Sequence, residues 1–245
     1  MIYVITEDLL GYSTSGSLIR SSYGTSVVGG YCCAAKRKVE KRFLRIKNLV
    51  KTKRRYATIL ADPPWRFEVN KRETDSEVLL WDRKLPYVSM EAVDIEALPV
   101  GRLADKDAML WLWSTGVHIH EALHVMKAWG FNYRTMRIWV KPRIGTGYWF
   151  RGQHEILLLG IRGRPSRGRK NHMSAIAGNN ISTVFSAPTS KHSAKPPESY
   201  RDIERLSKPP RIELFARRAR RGWDSWGDEA KEIDKELERD VRRYL

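Results

Sequence analysis

The run Tyr56-Ala57-Thr58-Ile59-Leu60-Ala61, halted by Asp62-Pro63-Pro64-Trp65, constrains this chain more than any other segment. An apolar, β-branched run bounded by turn residues reads as a buried strand. Two prolines forbid its continuation, because proline lacks an N–H and locks φ at about −65°. The chain must therefore leave its sheet abruptly, carrying a carboxylate, a donor-free turn and an indole at the strand's carboxyl end. In open α/β sheets that edge is where ligands bind. The grouping suits the exocyclic amine of a flat base: Asp62 and the Pro63 carbonyl accept its two N–H groups, and Trp65 offers a stacking face.

The rest of the chain supplies the sheet. Residues 57–61, 108–113, 134–140, 154–161 and 212–215 read as strands. Residues 89–98 read as a short helix with Ser89 as its cap. A second helix covers 118–129 with Gly130 at its stop, and a third covers 196–206 behind Pro196. Strands alternating with helices predict an α/β fold with a mainly parallel central sheet flanked by helices. Residues 1–35 lack a period and are expected to be a weakly ordered extension. Residues 36–55 carry Lys or Arg at eleven positions against the single acid Glu40, with Val39, Phe43, Ile46 and Val50 at helical spacing. That is a basic amphipathic helix. The main domain is expected over 56–229, and residues 230–245 close as an amphipathic helix with Ile233, Leu237 and Val241 inward. The sequence leaves open whether that last helix docks or mediates a homo- or hetero-dimer.

The formal net charge of +17 favours a polyanionic partner, most simply nucleic acid. The only cysteines, Cys32 and Cys33, are adjacent, with no metal-ligand spacing, so no metal site is expected and a reducing compartment is. No apolar run reaches the roughly 18 residues of a membrane span. The cytoplasm of a bacterial or phage-infected cell is expected, or the nucleus if the source is eukaryotic.

Several motifs in order raise the specificity of the strand-end tetrapeptide. They are Ala61 to Trp65, Leu85-Pro86-Tyr87, Leu110-Trp111-Leu112-Trp113, Ile138-Trp139-Val140-Lys141 and Gly147 to Phe150 through His154-Glu155. Lys195-Pro196 with Tyr200, Arg211 to Arg217 and Gly222-Trp223 to Gly227 complete the series. Over roughly residues 57–229 the chain resembles the MT-A70 family of S-adenosylmethionine-dependent adenine-N6 methyltransferases. The resemblance implies a Rossmann-like methyltransferase fold with a permuted motif order, the tetrapeptide preceding the main cofactor-binding strand.

Carried over residue by residue, the resemblance implies that Asp62, Pro63, Pro64 and Trp65 hold and activate the base. It places Asp62 also near the cofactor's methionyl amine. It puts Tyr87, Trp149 and Glu155 on the substrate side, and Lys195 and Arg217 on the cofactor. Asp228 and Glu229 stand where relatives often carry amides against the cofactor's adenine and ribose. Arg164, Arg167 and Arg169, in a Gly/Arg loop after a strand, are expected to meet phosphate. Trp111, Trp113, Trp223 and Trp226 are read as packing, and His154 as buried. The expected activity is methyl transfer to adenine N6 in DNA, with RNA as the alternative acceptor. A silent nucleic-acid-binding subunit is the rival from another class.

Overall fold

The computed structural model describes residues 19–20, 26–28, 31–67, 88–147, 149–165, 180–190 and 194–227. The chain divides into two units, residues 1–41 and 42–245. In the first, β1 (Ile19–Arg20), β2 (Ser26–Val28) and β3 (Tyr31–Cys32) form a small antiparallel sheet in sequence order. These strands fall inside the stretch expected to lack order; two- and three-residue strands leave no readable period. Helix α1 (Cys33–Lys51) starts three residues before the expected basic helix and contains the boundary between the units.

In the second unit, α1 buries Ile46, Leu49 and Val50, and Lys53 beyond its end takes a positive φ. The chain continues through β4 (Tyr56–Ala61), α2 (Ala92–Glu96), β5 (Ala104–Ser114), α3 (Ile119–Ala128), β6 (Asn132–Val140), β7 (His154–Arg162), β8 (Val184–Ser186), α4 (Pro197–Leu206), β9 (Arg211–Leu214) and β10 (Asp224–Trp226). The strands form one seven-stranded sheet in the order β10-β9-β4-β5-β7-β6-β8. Among the described strands of this sheet only β7 runs against the rest. This is the mainly parallel, helix-flanked α/β sheet that the alternating elements predict.

β4 is the central strand, hydrogen-bonded to β9 on one side and β5 on the other. It is buried on both faces, which is why it reads as a continuous apolar run. One face packs Leu60, Trp111, Trp113 and Leu157 under Tyr200 and Ile203 of α4, with Trp139 and Trp223 alongside. Trp111, Trp113 and Trp223 therefore pack as expected, while Trp226 is buried outside this cluster. On β7, Gly160 leaves space that a Cβ would lose to Met126 of α3, 2.7 Å away.

Two local expectations change. The N-cap position of α2, which begins at Ala92, is held by Glu91 and not by Ser89, which is buried two residues ahead of it. His154 is exposed, because it opens β7 at the sheet's rim instead of lying within it. β8 and β10, only three residues each, carry too little alternation to be read from sequence.

Candidate active site

At the carboxyl end of β4 the chain turns out through Asp62. Its N–H reaches the Leu214 carbonyl of β9 at 3.4 Å. The diproline then closes a tight turn in which the Trp65 N–H donates to the Pro63 carbonyl at 2.9 Å. The Pro64 carbonyl accepts the Met90 N–H at 2.8 Å, and the Arg66 N–H donates to the Met90 carbonyl at 3.1 Å. This short bridge ties the exit from β4 to the approach of α2, so the turn is braced from outside as well as by its own prolines.

The Asp62 carboxylate faces Lys195, which comes from the segment leading into α4. Lys195 Nζ lies 2.8 Å from Asp62 Oδ2 and 3.1 Å from Glu155 Oε2. Glu155 Oε1 meets Lys141 Nζ at 2.6 Å. Four charges thus alternate along one wall: Asp62, Lys195, Glu155, Lys141. Burial alone would pull the Lys195 ammonium down, but Asp62 and Glu155 outweigh it and hold its pKa above the ordinary value. Burial likewise pushes the Glu155 carboxyl up, and Lys195 with Lys141 brings it below the usual range. Trp113 lies beneath the pair, its ring centroid 5.4 Å from Lys195 Nζ.

The wall lines a cleft of about 240 Å³ that also takes in Pro63, Pro64, Trp65, Phe215, Arg217 and Arg42. The structure therefore brings together Asp62, Pro63, Pro64, Trp65, Glu155, Lys195 and Arg217 from well-separated segments of the chain. Trp65 differs from the stacking surface expected of it. Its ring is buried, its Nε1–H donates to the Trp113 carbonyl at 3.0 Å, and one face stacks on His118 at 5.7 Å. His118 is fixed in turn between Thr115 Oγ1 at 3.0 Å and the Arg66 carbonyl at 2.9 Å. The exposed aromatic of this wall is Phe67, edge-on to His118.

Two expected residues stand elsewhere. Trp149 is 88% exposed, in the segment between β6 and β7, and is not part of the cleft wall. Arg164 lies at the opposite edge of the sheet. β7 runs antiparallel to β5, so Glu155 at its start meets the site while the residues after Arg162 emerge at the far end. There the Arg164 N–H donates to Asp107 Oδ1 at 2.7 Å. Tyr87, Arg167, Arg169, Asp228 and Glu229 lie outside the described residues, as does the helix expected over 230–245.

Sequence reasoning passed over Lys141, His118 and Glu213. Lys141 and Glu213 lie inside two of the motifs that carry the resemblance but were given no role of their own; nothing in sequence marked His118. Glu213 lies on β9 beside Leu60 of β4 and accepts the Tyr200 hydroxyl at 2.8 Å. Burial, opposed by that hydrogen bond and reinforced by Asp62, raises its carboxyl to about 7.

Among the described residues no helix is long and apolar enough to cross a membrane. The MT-A70 family model matches residues 56–229. The chain is similar to the Type II methyltransferase M.MunI of Mycoplasma sp, 26% identical over 191 residues, covering 71% of this chain and 78% of that protein. It is 32% identical over 186 residues to the probable N(6)-adenosine-methyltransferase MT-A70-like of Oryza sativa subsp. japonica, covering 71% of this chain and 23% of the rice protein. The N(6)-adenosine-methyltransferase catalytic subunit METTL3 of Homo sapiens is 31% identical over 172 residues, covering 66% of this chain and 26% of its own length. The chain thus spans most of the bacterial relative and about a quarter of the other two. With its diproline strand end inside the matched region, the chain belongs to the MT-A70 family of methyltransferases.

Proposed function

We propose that this chain transfers a methyl group from S-adenosylmethionine to the N6 amine of adenine in DNA. The observation that carries the reading is the Asp62 carboxylate, held at the cleft by Lys195 beside a rigid diproline turn. The cofactor fits the donor set. An ammonium suits Asp62, and a carboxylate suits Lys195 or Arg217. A flat base suits the half of the cleft walled by Phe215 and Trp226. Trp226 also buries an indole N–H that finds no acceptor among the described residues.

The N6 amine is a poor nucleophile because its lone pair is delocalised into the ring. Two acceptors that bind both N–H groups draw that nitrogen toward tetrahedral geometry. Lys195 engages Asp62 Oδ2, which assigns Oδ1 to the amine. The Pro63 carbonyl spends one lone pair on the Trp65 N–H and keeps a second for the other amine hydrogen. S-adenosylmethionine, when bound, supplies an electrophilic methyl on a sulfonium. Asp62 then takes the proton that the methylated amine sheds. Catalysis on this reading is positioning and preorganised charge, with no base needed before attack. A duplex acceptor requires the adenine to leave the stack.

DNA is preferred because the relative matched over most of its own length is a type II methyltransferase. The relatives named for adenosine match over about a quarter of theirs and support RNA as the second acceptor to test. The test is transfer of a labelled methyl group to duplex DNA, single-stranded DNA and RNA. Wild type should label DNA adenine at N6, and Asp62→Ala should lose at least about a hundredfold in rate. Transfer that survives Asp62→Ala would sink the mechanism. Cofactor binding without transfer to any acceptor would make the chain a silent binding subunit.

A further inference from the structure

Helix α1 places two side chains against the usual order of burial. Leu44 is 62% exposed, while Arg42 is 5% exposed. A guanidinium is buried only where it is partnered, so its placement here is specific. Arg42 points into the cleft, among the residues that line it with Asp62 and Arg217. Its Nη1 donates to the Val88 carbonyl at 3.0 Å, which fixes the plane of the fork. One turn on, Arg45 Nη2 donates to the Gly227 carbonyl at 2.8 Å and ties this stretch of α1 to the end of β10. Arg42 is therefore tied to the approach of α2, and Arg45, from the same helix face, holds this turn of α1 at the end of β10.

The cleft has two chemically distinct halves. In the first, Lys195 and Lys141 are engaged with Asp62 and Glu155. In the second stand Phe215, Trp226, Arg217 and Arg42. Phe215 holds φ at 62°, a left-handed conformation that costs a non-glycine residue energy and that clusters at ligand sites. A surface of aromatic rings and planar guanidinium groups suits a flat heteroaromatic ring with nitrogen acceptors. The cofactor's ammonium is served by the first half, at Asp62.

We propose that Arg42 is a cofactor-binding residue whose guanidinium contacts the adenosine half of S-adenosylmethionine, so that the basic helix supplies part of the cofactor pocket. The inference rests on the S-adenosylmethionine-dependent reading of the site and adds a residue to it. A guanidinium offers five donors in a fixed fork and stacks on flat rings, whereas a lysine ammonium does neither. The substitution series follows from that difference.

The test is calorimetric titration of S-adenosylhomocysteine and of 5′-methylthioadenosine, which lacks the amino-acid tail, into the full chain without nucleic acid. Arg42→Met should weaken both ligands by the same factor, about ten- to a hundredfold. Arg42→Lys should recover only part of the loss. Asn48→Ala, an exposed change on the same helix, should bind both as wild type does. If Arg42→Met does not fold, as judged by its melting curve, the Arg42→Lys titration decides the matter alone. Cofactor affinity that is unchanged in Arg42→Met or Arg42→Lys overturns the proposal. So does a loss confined to DNA affinity, which would assign Arg42 to a phosphate of the acceptor strand. Wild type that binds neither ligand overturns the S-adenosylmethionine reading itself, a failure distinct from that of Arg42.

Discussion

Asp62 is held by one lysine that is itself shared. Lys195 divides its ammonium between Asp62 and Glu155, and Glu155 divides its carboxylate between Lys195 and Lys141. Each charge is compensated from two sides except at the ends of the row, and the Asp62 end opens on the cleft. Glu213 is the acid outside this arrangement. Its carboxyl is raised from 4.5 to about 7, first by burial and then, against the Tyr200 hydrogen bond, by Asp62. In the unfolded chain it ionises at its ordinary value. Between about pH 4.5 and 7 the folded state therefore keeps a proton that the unfolded state has lost. Stability falls as pH rises through that window and levels off above it. Glu213→Gln preserves an acceptor for Tyr200 and cannot ionise. Urea unfolding at a series of pH values should show a flatter profile for the variant. Its advantage at about pH 8 should be on the order of 3 kcal/mol. Identical profiles would show that Glu213 titrates normally. Asp62, Glu155 and Lys195 were legible because they sit in motifs the family shares. His118 and Arg42 lie outside those motifs, and Glu213, inside one, carried no sign of its role. Each looks in sequence like an ordinary polar residue, and only the partner brought by another segment gives it a role.

At the level of elements, strand direction decides what reaches the site. The expectation for Arg164 assumed that the end of β7 lies near the end of β4, as it would in a wholly parallel sheet. An apolar run carries no sign of its direction, because alternation and β-propensity are the same read either way. The reversal of β7 delivers its first residues to the cleft, which is why Glu155 and not Arg164 stands there. The strand ends around Phe215 and Trp226 are equally exacting. A Cβ at Gly227 would lie 2.0 Å from the Ala216 carbonyl oxygen, and the Ala216 N–H donates to the Trp226 carbonyl at 2.9 Å. Gly227→Ala must push the two strand ends apart. It should cost about 1–3 kcal/mol in unfolding free energy and weaken S-adenosylhomocysteine binding. A variant that melts and binds like wild type would show that this close approach relaxes freely. The long elements, β4, β5, β7 and α4, were legible because each repeats its pattern several times. The three-residue strands β8 and β10 are held by neighbours and carry almost no pattern of their own.

Over the whole molecule, charge and fold answer different questions. The net charge of +17 says that a polyanion is welcome, and the sheet says where chemistry happens. Lys47, Lys51, Lys53 and Arg55 are exposed around the end of α1, in the same unit as the cleft. Replacing all four by Gln should reduce the slope of log K against log salt for duplex DNA by about 0.9 for each phosphate they neutralise. An unchanged slope would mean that these charges are only solvated. The basic character of this region was legible from composition. The division of the chain within α1, between residues 41 and 42, was not, because a continuous helical period gives no sign of where one unit ends.

The β6–β7 hairpin has a base that locks. The Lys141 N–H donates to the Gln153 carbonyl at 2.8 Å, Gln153 Nε2 returns to the Lys141 carbonyl at 3.1 Å, and Lys141 Nζ meets Glu155 at 2.6 Å. The Lys141–Glu155 pair is thus anchored by the two strand ends themselves, and a change in the segment that joins them reaches the pair only through this base.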